Sequence, residues 1–165
     1  IFEPILAFIR YIPPSAFVPL AIIWFGIGDL EKMVILFLAV APYLALLIAD
    51  HVAGTRHELV EAALTLGASP RAVITKVVLP HALPGMWDSL RIMIGAAWSF
   101  VIIAEIVGAS NGLGHLMIES QRFLRTDKIF AGIMVIGFLG LTTDYFFKVT
   151  YHVLFPWTEK SHARA

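Results

Sequence analysis

Four long apolar runs constrain this 165-residue chain more than any motif in it. Tyr11 to Gly28 and Met33 to Ala49 contain no charged side chain, and Ile92 to Ala104 and Ile129 to Thr143 are shorter clean runs. Each of the shorter two extends through residues interrupted only by single charges. A crossing of the bilayer needs about 20 mostly apolar residues, so all four runs qualify as spans. Composition agrees: 59% of residues are hydrophobic and 15% charged, where a soluble domain carries about a quarter charged. Four nearly all-apolar helices packed inside one small soluble domain is the poorer reading. The expected fold class is therefore all-α and polytopic, in contact with membrane lipid. A net charge of zero gives no electrostatic footprint for nucleic acid. The absence of cysteine removes disulfides and thiolate metal sites without fixing a compartment. The chain opens on Ile1 with no basic segment before its first apolar run, so no signal peptide is expected. The expectation is the C-terminal portion of a longer membrane protein.

Residues 1–10, IFEPILAFIR, have the pattern of a short amphipathic lead-in. Pro13, Pro14 and Pro19 punctuate the start of the first span, which ends at WFGIGD. The sequence GDLEK is expected to be a tight reversal. The second span contains Pro42, tolerable in a membrane helix where neighbours satisfy the freed carbonyl. A charged, punctuated stretch follows, then a third span from about Ser89 to Val107. The polar segment GASNGLGHLMIESQRFLRTDK leads to the fourth span, about Ile129 to Val149, and the tail FPWTEKSHARA places Trp157 at an interface-like position.

Basic residues near span ends set orientation. Four crossings put Arg10, Arg56, Arg71, Lys76, Arg91, Lys148, Lys160 and Arg164 on one face, and Lys32, Arg122, Arg125 and Lys128 on the other. Eight against four places residues 50–88 in the cytoplasm.

Within that loop, residues 57–66 are helix formers with Leu59, Ala62, Ala63 and Leu66 on one face. Gly67 suits the position past a helix end, where a left-handed conformation is needed. Ser69 is a good N-cap and Pro70 a good first helical residue. A second short helix is expected from Arg71 to Leu79, stopping at Pro80. Residue patterns alone leave open whether this helical hairpin is only a connector.

The hairpin resembles the cytoplasmic EAA loop of ABC importer permeases: Glu61-Ala62-Ala63, then Gly67, then Val77-Val78-Leu79-Pro80, with Val where the pattern has Ile. The segments IPPSAFVPLAIIWFGIGDLEK, EAALTLGAS, LPHALPG, residues 90–118 and TDKIFAGIMVIGFLGLTTDYFF are similar to the nitrate/sulfonate/taurine/bicarbonate branch of that family. The resemblance implies a type I permease-like helical bundle, one transmembrane domain over residues 1–160. About four of the usual six spans would be present, with the coupling loop at about 54–85. It implies a multi-pass protein of the bacterial plasma (inner) membrane, working as a homodimer with a separate ATPase subunit and an extracytoplasmic substrate-binding protein. ATP would be bound by the ATPase, and no cofactor by this chain. The cargo would be a small anion: nitrate, an alkanesulfonate, taurine or bicarbonate. In such a loop Glu61, Ala62, Ala63, Gly67, Ala68, Ser69, Leu79 and Pro80 would form the ATPase-docking element. Glu61 would be a polar contact or cap, the two alanines would keep the surface low, and Gly67 would allow close approach of the two short helices. A permease for another small solute, such as a vitamin precursor, is the alternative within transport.

Outside the loop, Glu105 stands out, because carboxylates inside a span are costly and functional by default. Arg91 lies fourteen residues earlier, about 21 Å along a helix, so the two cannot pair, and Arg91 can snorkel at the cytoplasmic end. Two roles stay open for Glu105: structural pairing with a neighbouring span or partner subunit, and a pathway or gate. Trp98, Ser99, Trp24 and Phe25 are further pathway candidates against a packing role. Asp144 and Lys148, four apart and acid first, suit a helical ion pair. A membrane enzyme finds no support in spacing. HELVE has Glu61 where a zinc-binding helix needs its second His, and His51 and His57 fall on different faces. GASNGLG lacks the Lys-Ser/Thr of a P-loop and suits a turn at the outer surface.

Overall fold

Prolines shape the first element. In the computed structural model, which describes residues 11–108 and 111–158, a 3₁₀ turn Pro14–Phe17 runs into helix α1, Val18–Phe25. Gly26, at φ 75°, ends it in a conformation that L side chains rarely adopt. The apolar helix Pro14–Phe25 has 12 residues, about 18 Å at helical rise, short of the roughly 30 Å hydrocarbon core. The first expected span is thus a shorter helix, limited by Pro13 and Pro14 before it and Gly26 after it. The lead-in at residues 1–10 and the tail from 159 onward, with Arg10, Lys160 and Arg164, lie outside the described residues, as do Ala109 and Ser110.

The other three expected crossings reach spanning length. Helix α2 is Asp29–Ala53, so Asp29 to Lys32 form its first turn and the reversal is confined to Gly26–Gly28. This corrects the reading of GDLEK as the turn: Asp29 and Glu31 favour the positive end of the helix dipole. Pro42 is buried within an unbroken α2. Short helices α3, His57–Thr65, and α4, Pro70–Val73, form the hairpin. A π-helical turn, Ile74–Val78, joins α4 to α5, Leu79–Gly108, making one 38-residue helix from Pro70 to Val107. The helix therefore does not stop at Pro80, and the third span begins well before Ser89. The wide turn lies just N-terminal to Pro80, where a proline ring would otherwise meet the carbonyl four residues back. Helix α6, Leu113–Arg122, crosses to α7, Thr126–Leu154.

The best-buried cluster is small: Val18 and Ala21 of α1, Ile35 of α2 and Ala104 of α5, with Ile22 beside it. Only 17%, 17% and 6% of the most apolar windows of the three long helices are buried. Apolar surface left exposed on that scale belongs in lipid or against other helices, not in water. The antiparallel pair α2 and α5 makes the largest helix–helix contact among the described residues, and α7 packs on α5 and α6. Near the hairpin end, Trp87 donates its indole N–H to the Phe147 carbonyl at 3.2 Å, and the two rings lie 5.2 Å apart.

Candidate functional site

The hairpin is built by caps. Leu66 closes α3, Gly67 follows at φ 82°, and two hydrogen bonds complete a Schellman end: Gly67 N–H to Leu64 O at 2.9 Å and Ala68 N–H to Ala63 O at 3.0 Å. Ser69 then caps α4, its hydroxyl oxygen accepting the Ala72 N–H at 3.3 Å, with Pro70 at the first helical position. No atom lies within 4 Å of where a Gly67 side chain would sit. Gly67 therefore serves its left-handed φ, not a close approach of helices. Helix α3 packs on α4 and on the π turn.

Its surface is open. Glu61, Ala62, Gly67, Ser69 and Leu79 are exposed, Ala63, Ala68 and Pro80 half-buried. The Glu61 carboxylate caps nothing and has no partner among the described residues; its backbone carbonyl accepts the Thr65 hydroxyl at 2.9 Å. Leu66 is 88% exposed, and Leu59, Leu64 and Ile74 are exposed beside it. A rigid loop carrying apolar residues and an unpaired carboxylate has the chemistry of a docking surface for a protein groove.

Glu105 does not pair with a basic side chain among the described residues. It accepts the Gly114 N–H at 2.8 Å and so caps the start of α6 from the neighbouring helix. Gly112, at φ 121°, and Gly114 both lack room for a Cβ because the Glu105 side chain and the α5 backbone occupy the space. A carboxylate at a helix N-terminus satisfies an orphan donor and complements the dipole. Arg91 is also placed differently from the expected snorkelling: it donates to Asp144 of α7, which takes Lys148 Nζ on its other oxygen at 3.1 Å. The expected Asp144–Lys148 pair is thus half of a bridge between α5 and α7. Trp98 and Ser99 line an apolar cleft between those helices with Ile102, Ile103, Ile133 and Ile136. Trp24, 67% exposed on α1, contacts Phe25 edge to face and is not part of that cleft. His51 and His57 lie on separate helices, and no group of three His, Cys, Asp or Glu suited to a metal occurs among the described residues.

Two features escape a sequence reading. Glu31 is 0% exposed, and neither carboxylate oxygen has a hydrogen-bond partner among the described residues. Its signal lies in the spacing of Glu31, Ile35, Ala39 and Pro42, the buried stripe of α2. The other is a cross-helix link: His51 Nε2 and Ser89 Oγ share a hydrogen bond of 2.8 Å, its donor set by the ring tautomer.

Comparison with known proteins matches this architecture. A solved chain of the inward-facing MetNI methionine ABC transporter superposes with a TM-score of 0.79 at 22% identity, covering 91% of this chain and 72% of that one. Among curated relatives, the taurine transport system permease protein TauC of Escherichia coli is 36% identical over 95% of this chain. The putative aliphatic sulfonates transport permease protein SsuC of Bacillus subtilis is 32% identical over 94%. A putative ABC transporter permease of Methanocaldococcus jannaschii is 35% identical over 94%. The chain spans 57%, 56% and 58% of the lengths of these three relatives respectively. The family profile described as binding-protein-dependent transport system inner membrane component matches residues 1–158. With its long apolar helices and capped polar hairpin, the chain belongs to that family of multi-pass membrane proteins.

Proposed function

We propose that this chain is part of the permease of an ATP-driven importer for a small sulfonate such as taurine or an alkanesulfonate. The observation that carries the cargo class is the 36% identity to a taurine permease over 95% of the chain, with an aliphatic sulfonate permease beside it. The hairpin is the coupling element: a separate ATPase subunit receives the exposed surface of α3 and the Gly67 turn. The double cap gives that surface a fixed shape, so closure of the ATPases is delivered as displacement, not absorbed by the loop. The spans then switch access between the two sides of the membrane. An extracytoplasmic binding protein delivers the sulfonate, and two permease copies frame the path.

The test is reconstitution of the full-length permease with its ATPase and binding protein in proteoliposomes. Taurine bound to the binding protein should stimulate ATP hydrolysis and drive uptake. Uptake of another solute class, with taurine and alkanesulfonates inert both in uptake and in calorimetry on the binding protein, would overturn the cargo assignment.

A further inference from the structure

The two legs of the hairpin join the membrane body in different ways. On the α5 side, α4, the π turn and α5 form one continuous helix, so a push on the hairpin reaches α5 along a helical rod. On the α2 side, the helix ends at Ala53 and a short irregular link through Gly54, Thr55 and Arg56 leads into α3. Such a link bends more easily than a helix and transmits displacement poorly. Something else must carry the motion into α2 if both spans are to move.

The geometry points to His51, Gly85 and Ser89 as that joint. His51 lies in the last turn of α2, three residues before Gly54. Its ring lies against the α5 backbone at Gly85, where a Cβ would overlap it, only 2.6 Å from Cε1. One helical turn further along α5, Ser89 is 5% exposed and holds the far ring nitrogen at 2.8 Å. The glycine lets the ring sit against the helix, and the hydroxyl fixes its rotation. A partly buried polar contact of this kind has one good geometry, where apolar packing tolerates sliding. Built at the hairpin end of the largest helix–helix contact, it makes α2 follow α5. His51 and Ser89 are thus positioning residues for coupling. This inference rests on the importer reading above.

The experiment uses the same full-length reconstituted complex, with taurine as the probe and ATP hydrolysed per taurine imported as the readout. Ser89→Ala removes one atom from a buried site and should raise that ratio about fivefold, the factor carried by a hydrogen bond of ordinary net strength. His51→Gln retains a donor and an acceptor and should keep much of the coupling. Gly85→Ala displaces the ring, so poor assembly is expected. The double variant Gly85→Ala with His51→Ala makes room for the methyl and should assemble again while staying uncoupled. That split separates a positioning role from a merely structural one. As a second measure, paired spin labels at Ala45→Cys and Ile92→Cys should keep one distance through the nucleotide cycle in the parent. With Ser89→Ala the distance should broaden or shift. An active parent complex in which these variants keep the parental ratio and distance overturns the joint alone. A parent complex with neither ATP-driven uptake nor nucleotide-dependent motion overturns the importer reading and the joint with it.

Discussion

At the scale of single residues, Glu105 and Glu31, both at the end of the bundle away from the hairpin, have opposite accounts. Glu105 is satisfied: it meets the Gly114 N–H at the start of α6 and fills the space over Gly112. Replacing a capping acceptor by alanine costs about 0.5–2 kcal/mol, so Glu105→Ala should lower the apparent melting temperature in detergent. Glu105→Gln keeps an acceptor oxygen and loses only the charge–dipole term, about 0.3–1 kcal/mol, so its shift should be the smaller. Equal shifts for the two would mean that the cap contributes nothing. Gly112→Ala should be worse than either, because it combines a left-handed φ with overlap on the Glu105 carboxylate. Glu31 is the reverse case, fully buried with no hydrogen-bond partner for either oxygen among the described residues. Leaving a buried polar group unpaired costs about 1–3 kcal/mol. Glu31→Leu should therefore raise the melting temperature, by about 2–4 °C per kcal/mol for a chain of this size. A stabilised variant that no longer transports would show that the buried carboxylate is kept for function. A fall in melting temperature would show that the side chain has a partner in the assembled protein.

At the scale of elements, the hairpin shows what local chemistry decides and what packing decides. The Gly67 turn, the Ser69 cap and Pro70 at the first helical position are legible in sequence because each rests on one residue's backbone preference. Glu105 was legible as costly, but not its partner, since a backbone N–H nine residues away leaves no pattern in side-chain types. Pro80 misleads for a related reason: the rule that proline ends a helix assumes α geometry, and the π turn of Ile74–Val78 supplies another. The same holds for Arg91, whose partner Asp144 is 53 residues away on another helix. Two predictions follow from the local geometry. Gly67 sits in open space, so its demand is for φ alone. Gly67→Asn should preserve coupled ATPase activity while Gly67→Val impairs it, asparagine entering the left-handed region far more readily. Full coupling in the valine variant would remove the turn from the mechanism. Deleting Thr75 should remove the extra residue that the π turn accommodates and restore α geometry, with the hairpin kept nearly in register on α5. The spans should still insert, and substrate-stimulated ATP hydrolysis should persist. Lost stimulation would mean that the wide turn itself takes part in coupling.

At the scale of the whole molecule, three spanning helices in alternation fix the relative sides of every loop from Asp29 onward. The hairpin and the end of α7 share one side, and the start of α2 shares the other with α6. Which side faces the cytoplasm is a separate question. Among the described residues, Arg56, Arg71, Lys76, Arg91 and Lys148 stand against Lys32, Arg122, Arg125 and Lys128. Two of the first group are tied to Asp144, so basic residues alone give a thin margin. The proposed coupling role places the hairpin in the cytoplasm instead, where an ATPase subunit would meet its exposed leucines and the Glu61 carboxylate. Single cysteines decide it, because this segment has no native one. Leu66→Cys places a thiol at an 88% exposed position on the hairpin turn, and Gln121→Cys places one on the exposed face of α6. On intact cells an impermeant maleimide should label Gln121→Cys at once and Leu66→Cys only after permeabilisation. Labelling of Leu66→Cys in sealed cells, with Gln121→Cys protected, would invert the molecule in its membrane. The hairpin would then face away from any ATPase, and the coupling role assigned to it would fall.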